Sequence, residues 1–139
     1  MAARIRKVGC CSEELVSQEL SWSDWQPLDR VVVRRSVPKT PGVYQIRKVG
    51  TLTIAYMGSA IGRGGLQQRI GQRVTNPSRY LSVYEKELVN TGLRLEFRYG
   101  TASSSQMALS WESQLLSEYK SDNRGRLPPG NKVTPHKSL

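Results

Sequence analysis

The residue pattern predicts an α+β domain: a small, mainly antiparallel sheet of three strands flanked by helices, preceded by an N-terminal extension over 1–36. Three observations point there. Leu93-Arg-Leu-Glu-Phe-Arg-Tyr99 alternates apolar and polar residues, the period of a half-buried strand. Two β-rich runs, Gly42–Arg47 and Leu52–Met57, flank a turn signal at Val49-Gly50 and read as an antiparallel hairpin. Between and after these strands lie segments of helical period, so helices must pack on the sheet.

Taken in order, Ser12 is a candidate cap for a short helix running to Leu20, with Glu13 and Glu14 in its first turn. Trp22, Trp25 and Leu28 read as anchors packing this arm onto the body, and Val31–Arg35 as a short strand-like run. Pro38 to Pro41 makes a turn into the body, assigned to 37–139. After the hairpin, Gly62-Arg-Gly-Gly65 is a flexible loop entering a helix whose Leu66, Ile70 and Val74 form one apolar stripe; Arg69 and Arg73 share a neighbouring face. Tyr80, Leu81, Tyr84 and Leu88 predict a second helix, stopped at Thr91-Gly92. Leu93, Leu95, Phe97 and Tyr99 are expected to point inward from the third strand; a helix over 104–120 and a Pro-rich tail over 121–139 complete the chain.

Charge narrows the function. Lys and Arg number 21 against 11 acids, a formal net charge of +10. No acidic residue occurs between Asp29 and Glu85, whereas that stretch holds ten basic residues, from Arg30 to Arg79. One-sided charge of this kind attracts a polyanion, most simply nucleic acid. No apolar run has the roughly 18–20 residues of a membrane span, and no long basic amphipathic helix suits a membrane surface. Arg4, Arg6 and Lys7 are not followed by an apolar segment, which is not the pattern of a secretory signal. The adjacent Cys10 and Cys11 are strained as a disulfide pair, and no other cysteine is present for a framework or a zinc site. The expected setting is reduced and intracellular, cytoplasmic or nuclear.

One carboxylate stands out. Ala108, Leu109, Leu115, Leu116 and Tyr119 outline an apolar helix face, and Glu112 lies within a turn of all but one of them. A carboxylate so placed must meet a cation, meet a metal or reach solvent.

Gly42-Val43-Tyr44, eleven intervening residues, and Tyr56-Met57-Gly58 resemble the paired signature of the GIY-YIG endonucleases. Arg69, Glu112 and Asn131 in Pro128-Pro-Gly-Asn131 follow in that family's order, and Val37–Gly42 resembles its lead-in, so the resemblance covers about 37–131. Val43 and Met57 replace the family's two isoleucines; the segment from Gly58 to Arg69 is longer than in many members; and Arg73 stands where many relatives have His. The sole histidine, His136, is in the tail.

The resemblance implies metal-dependent hydrolysis of DNA phosphodiesters with Tyr44, Tyr56, Arg69 and Glu112 as the active-site core. By that resemblance Tyr44 is the general base, its phenol drawn toward ionisation by Arg63, Arg69 and a metal; Tyr56 contacts phosphate or water, the two roles being exchangeable. Arg69 grips the scissile phosphate through its planar fork. Glu112 holds Mg²⁺ or Mn²⁺, hard cations that tolerate a mostly hydrated shell. Arg63, Arg73 and Asn131 are assigned to nucleic-acid binding. The partner is DNA, or RNA as the other polyanion, with a protein partner as the source of any strong specificity. Two readings compete: a catalytically inactive nucleic-acid-binding module of the same fold, and an interaction module for an acidic protein.

Overall fold

The computed structural model describes residues 20–131. The proposed helix from Ser12, both cysteines and His136 lie outside them. Four antiparallel strands form one sheet in the order β1-β4-β2-β3. They are β1 (Gln26–Pro27), β2 (Gly42–Lys48), β3 (Ile54–Ala60) and β4 (Leu95–Thr101). Among the described residues five α-helices accompany them: α1 (Arg30–Ser36), α2 (Gly65–Thr75), α3 (Pro77–Tyr80), α4 (Val83–Asn90) and α5 (Ser105–Asp122), followed by a 3₁₀ turn at Pro129–Asn131. Among the described residues no helix is long and apolar enough to cross a membrane.

The hairpin forms, with its second strand at Ile54–Ala60, two to three residues later than the expected Leu52–Met57. Tyr44 pairs with Gly58 and Ile46 with Tyr56, and Gly50 takes a positive φ in the turn closed by Thr51 N–H donating to the Lys48 carbonyl. The fourth strand is the departure from a three-stranded sheet. Gln26 and Pro27 pair with Phe97 and Glu96, and flanking bonds from Ser23 N–H to the Tyr99 carbonyl and Leu28 N–H to the Leu95 carbonyl extend the contact. A two-residue strand containing proline has no periodicity to read, and β4 recruits it as an edge.

Val31–Arg35 is a helix, not a strand. The Asp29 carboxylate accepts from the Val31 and Val32 N–H groups, and Val33 is buried. Capping plus docking overrides the β-preference of three consecutive valines. The predicted second helix is two pieces. Pro77 opens the short α3, and Ser82 caps α4 by accepting from Glu85 N–H while Glu85 reaches back to Ser82 N–H, a reciprocal capping box. On β4 the inward residues are Leu95 and Phe97, with Tyr99 partly covered; Leu93 precedes the strand and is exposed. On α5 the buried residues are Ala108, Trp111 and Leu115, whereas Leu109 is exposed.

Strand alternation makes two cores. Tyr44, Ile46, Ala60 and Phe97 face α1 and α2, packing with Val33, Leu66 and Ile70. Val43 and Met57 face α5, packing with Leu20, Ala108, Trp111 and Leu115. The extension over 1–36 is therefore, from Leu20 onward, built into the body: it contributes a core residue to each face and the fourth strand.

Candidate active site

The two signature glycines have steric reasons. A Cβ on Gly42 would stand 2.2 Å from the Gly100 carbonyl oxygen and 2.6 Å from Leu66, so only glycine lets β2 and β4 close with α2 seated above. A Cβ on Gly58 would lie 2.8 Å from the Tyr44 hydroxyl and 2.9 Å from the Tyr56 ring. Gly58 is thus the floor across which the Tyr44 ring reaches. The cross-strand pairing puts Tyr44 and Tyr56 on the same face with ring centroids 6.0 Å apart.

The third member of this group is Arg73. Its guanidinium lies 4.0 Å over the Tyr56 ring and is bonded to Glu85 Oε1 at 2.5 Å; Arg73 is 6% exposed and Glu85 0%. The same Glu85 oxygen accepts from Ser82 N–H and Oγ, both at 2.9 Å. Burial alone would depress the Arg73 pKa, but Tyr44, Glu85 and Tyr56 hold it above its usual value. Arg73 is therefore a fixed internal cation and not a surface contact for phosphate. Glu85 escaped the motif reading, although Ser82-x-x-Glu85 is a visible capping-box signature.

Tyr44 is fully buried, and its hydroxyl has no hydrogen-bond partner of ordinary geometry among the described residues. Burial is the main reason its phenol pKa is raised well above the usual tyrosine range; Tyr56 raises it further, and Arg73 and Arg69 offset only part. Against the expectation that neighbouring cations turn Tyr44 into a phenolate, Arg73 and Arg69 do not outweigh burial, which favours the protonated phenol as a hydrogen-bond donor. Two more unpartnered buried atoms, Arg73 Nε and Glu85 Oε2, belong to the same cluster.

Arg69 is exposed on α2 one turn before Arg73 and acts on Tyr44 through its charge. Arg63 is exposed in the loop before α2. Glu112 is half-buried on α5, where its Oε1 accepts from Ser59 Oγ at 2.6 Å. Ser59 alternates with Gly58, so it and Glu112 lie on the α5 side of the sheet, across from Tyr44 and Tyr56. The two halves of the proposed core meet only around the β3 edge.

Asn131 holds part of that edge. Its side chain donates to the Met57 carbonyl and accepts from the Met57 N–H, both at 2.8 Å. Both amide functions bond to β3, which makes Asn131 a clamp on an edge strand.

Only Arg47 and Arg73, of the ten basic residues between Asp29 and Glu85, form ion pairs among the described residues. The remaining eight leave a strongly positive exterior around α1, α2 and their loops. No family model, curated protein or solved structure matches the chain at a significant level.

Proposed function

We propose that this chain is a divalent-metal-dependent DNA endonuclease hydrolysing phosphodiester bonds at a GIY-YIG-type site, acting on nucleic acid inside the cell. The observation that carries the reading is the cluster of Tyr44, Tyr56 and Arg73 with orphaned polar atoms beneath an uncompensated basic surface. Orphaned buried groups cost stability, and a water admitted to the pocket would satisfy the donors among them, the Tyr44 hydroxyl and Arg73 Nε.

The roles differ from those the motif implies. Tyr44, kept protonated by burial, donates a hydrogen bond to a phosphate oxygen or to the attacking water. Tyr56, partly exposed, takes the position next to the substrate, where its hydroxyl contacts the phosphate or the attacking water. Arg69, exposed, binds the phosphate, while Arg73 stabilises developing negative charge from within. Glu112 suits a hard cation in a limited way. Ser59 orients its Oε1, its Oε2 has no hydrogen bond among the described residues, and no group of three metal-ligating side chains occurs there. One carboxylate fits Mg²⁺ or Mn²⁺ with a mostly hydrated shell. Such a cation supplies Lewis-acid stabilisation and a more acidic bound water. The scissile phosphate would lie at the β3 edge near Ser59, beyond the Asn131 clamp.

Nicking of supercoiled plasmid in Mg²⁺ or Mn²⁺ tests this reading. Wild type is expected to nick, and Glu112→Gln and Tyr56→Phe to lose cleavage while retaining DNA binding. Full activity of Glu112→Gln rejects the metal assignment. A second reading, a nucleic-acid-binding module without catalysis, draws on the separation of Glu112 from the tyrosines by the sheet. Salt-dependent DNA binding with no nicking by wild type would establish it. A chain that binds no DNA would instead fit an adaptor for an acidic protein.

A further inference from the structure

The sheet face opposite Tyr44 bears a cleft of about 640 Å³ between the N-terminal arm and the C-terminal half of α5. Trp22 and Trp25 form one wall, Leu115, Tyr119 and Asp122 the other, and Gln45 and Arg98 lie on the strands between. Trp22 and Leu28 pack against the two cores as the sequence suggested, but Trp25 belongs to neither cluster. Instead it is held by cations. The Arg47 guanidinium sits 3.8 Å from its ring centroid, and Arg98 lies 4.3 Å from Trp22 and 4.8 Å from Trp25. Each cation is fixed in turn: Arg47 pairs with Glu96, and Arg98 Nε donates to Gln45 Oε1 at 2.8 Å. The result is a stiff stack of indole and guanidinium planes, formed before any ligand arrives.

The charge inside this cleft differs from that of the rest of the chain. Its lining contains two arginines and two carboxylates, Glu118 and Asp122, in a protein whose net charge is +10. A locally balanced, aromatic-walled slot is poorly suited to a phosphate and well suited to a neutral planar heterocycle. Its volume is that of a small-ligand site, with room for one nucleotide. Asp122 makes no ion pair among the described residues, so its carboxylate is available to accept from a ring N–H and an exocyclic amino group.

We propose that this cleft is a binding site for a single unpaired nucleobase. The base stacks between the Trp–Arg wall and Tyr119, and it presents a guanine-type donor edge to Asp122. The inference rests on the nucleic-acid reading above but not on hydrolysis, because the cleft lies across the sheet from the tyrosine cluster. It adds a way to grip a single-stranded or extruded base while the basic exterior holds the backbone.

The test uses the full chain without metal and three thymine heptamers whose central position is guanine, thymine or abasic. Binding is followed by tryptophan fluorescence and by anisotropy of labelled oligonucleotides. The central guanine is expected to quench fluorescence and to bind tighter than the abasic heptamer by about ten- to a hundredfold, with thymine between them. Trp25→Ala and Tyr119→Ala should each erase the guanine–abasic difference with helix content unchanged. Asp122→Asn should erase the guanine–thymine difference while quenching persists. Arg63→Ala should weaken all three heptamers alike. Equal affinity for all three, or a guanine preference that survives both Trp25→Ala and Tyr119→Ala, overturns the site while leaving backbone binding intact. Failure to bind any heptamer at low salt overturns it together with the nucleic-acid reading.

Discussion

Replacing Glu85 by Gln keeps the shape of the side chain and the acceptor used by Ser82, but it removes the counter-charge of Arg73. Both groups are almost completely buried, and their contact at 2.5 Å is the only ion pair Arg73 makes among the described residues. Breaking a buried pair from one side leaves an uncompensated charge and costs about 3–5 kcal/mol. That is a large part of the roughly 5–15 kcal/mol that holds a domain folded. At about 4 °C per kcal/mol for a domain of this size, the melting temperature should fall by about 10–20 °C. Thermal and urea unfolding followed by circular dichroism measure this directly. The double variant Arg73→Met with Glu85→Leu supplies the control, since replacing both partners by apolar residues is often neutral or stabilising. Duplex DNA affinity of Glu85→Gln, measured below its melting temperature, should be unchanged because Arg73 is internal. A loss under about 1 kcal/mol, or a double variant as unstable as the single one, would refute the account of a desolvated, mutually dependent pair.

The remaining predictions concern the tyrosine pocket and the surface charge. Tyr44→Phe removes a buried hydroxyl without a partner, so it should leave stability unchanged or raise it by about 1 kcal/mol, and a loss of several kcal/mol would mean the hydroxyl is bonded in solution. Because the folded phenol pKa is raised above the unfolded value of about 10, its contribution is complete below that pH. Stability should then fall as pH climbs from about 10 toward the folded pKa, by up to roughly 1.4 kcal/mol per pH unit. Tyr44→Phe should lose that part of the alkaline slope, as denaturant titrations at several pH values would show. Gly58→Ala drives a methyl group against the rings of Tyr44 and Tyr56 and should cost about 1–3 kcal/mol, read by urea unfolding; an unperturbed midpoint would contradict the packing described. Affinity for non-specific duplex should fall steeply with salt, and Arg63→Ala should flatten the log–log slope by about 0.9, one phosphate contact. Arg73→Ala should leave that slope alone, and an equal flattening would show that Arg73 reaches the surface.

Much of the fold follows from periodicities internal to single segments. The Leu93–Tyr99 alternation, the hairpin around Gly50 and the Leu66/Ile70 stripe each state their own secondary structure, because side-chain burial repeats with the backbone geometry. The separation of basic from acidic residues was likewise complete in the sequence. What depended on distant partners was not legible. Val31–Val33 have a strand's composition, yet Asp29 capping and the burial of Val33 make them a helix. Gln26-Pro27 becomes a strand only because β4 offers an unpaired edge.

The site divides the same way. The order of Tyr44, Tyr56, Arg69 and Glu112 was readable, whereas the hairpin register that puts the two tyrosines side by side, with its shift between Ile46 and Arg47, was set by the folded strands. The electrostatic state of Tyr44 was decided by depth. The sequence counts the arginines near Tyr44 but not the water excluded around it, and burial outweighs those charges in setting its pKa. Arg73 looked like one more surface cation until α4 brought Glu85 against it. Whether Trp25 packs in a core or lines a cleft is likewise fixed by its stacking with Arg47 and Arg98, on strands far from it in the chain. Periodicity is a local property that the chain writes in order; desolvation and pairing depend on atoms brought together only by the tertiary fold.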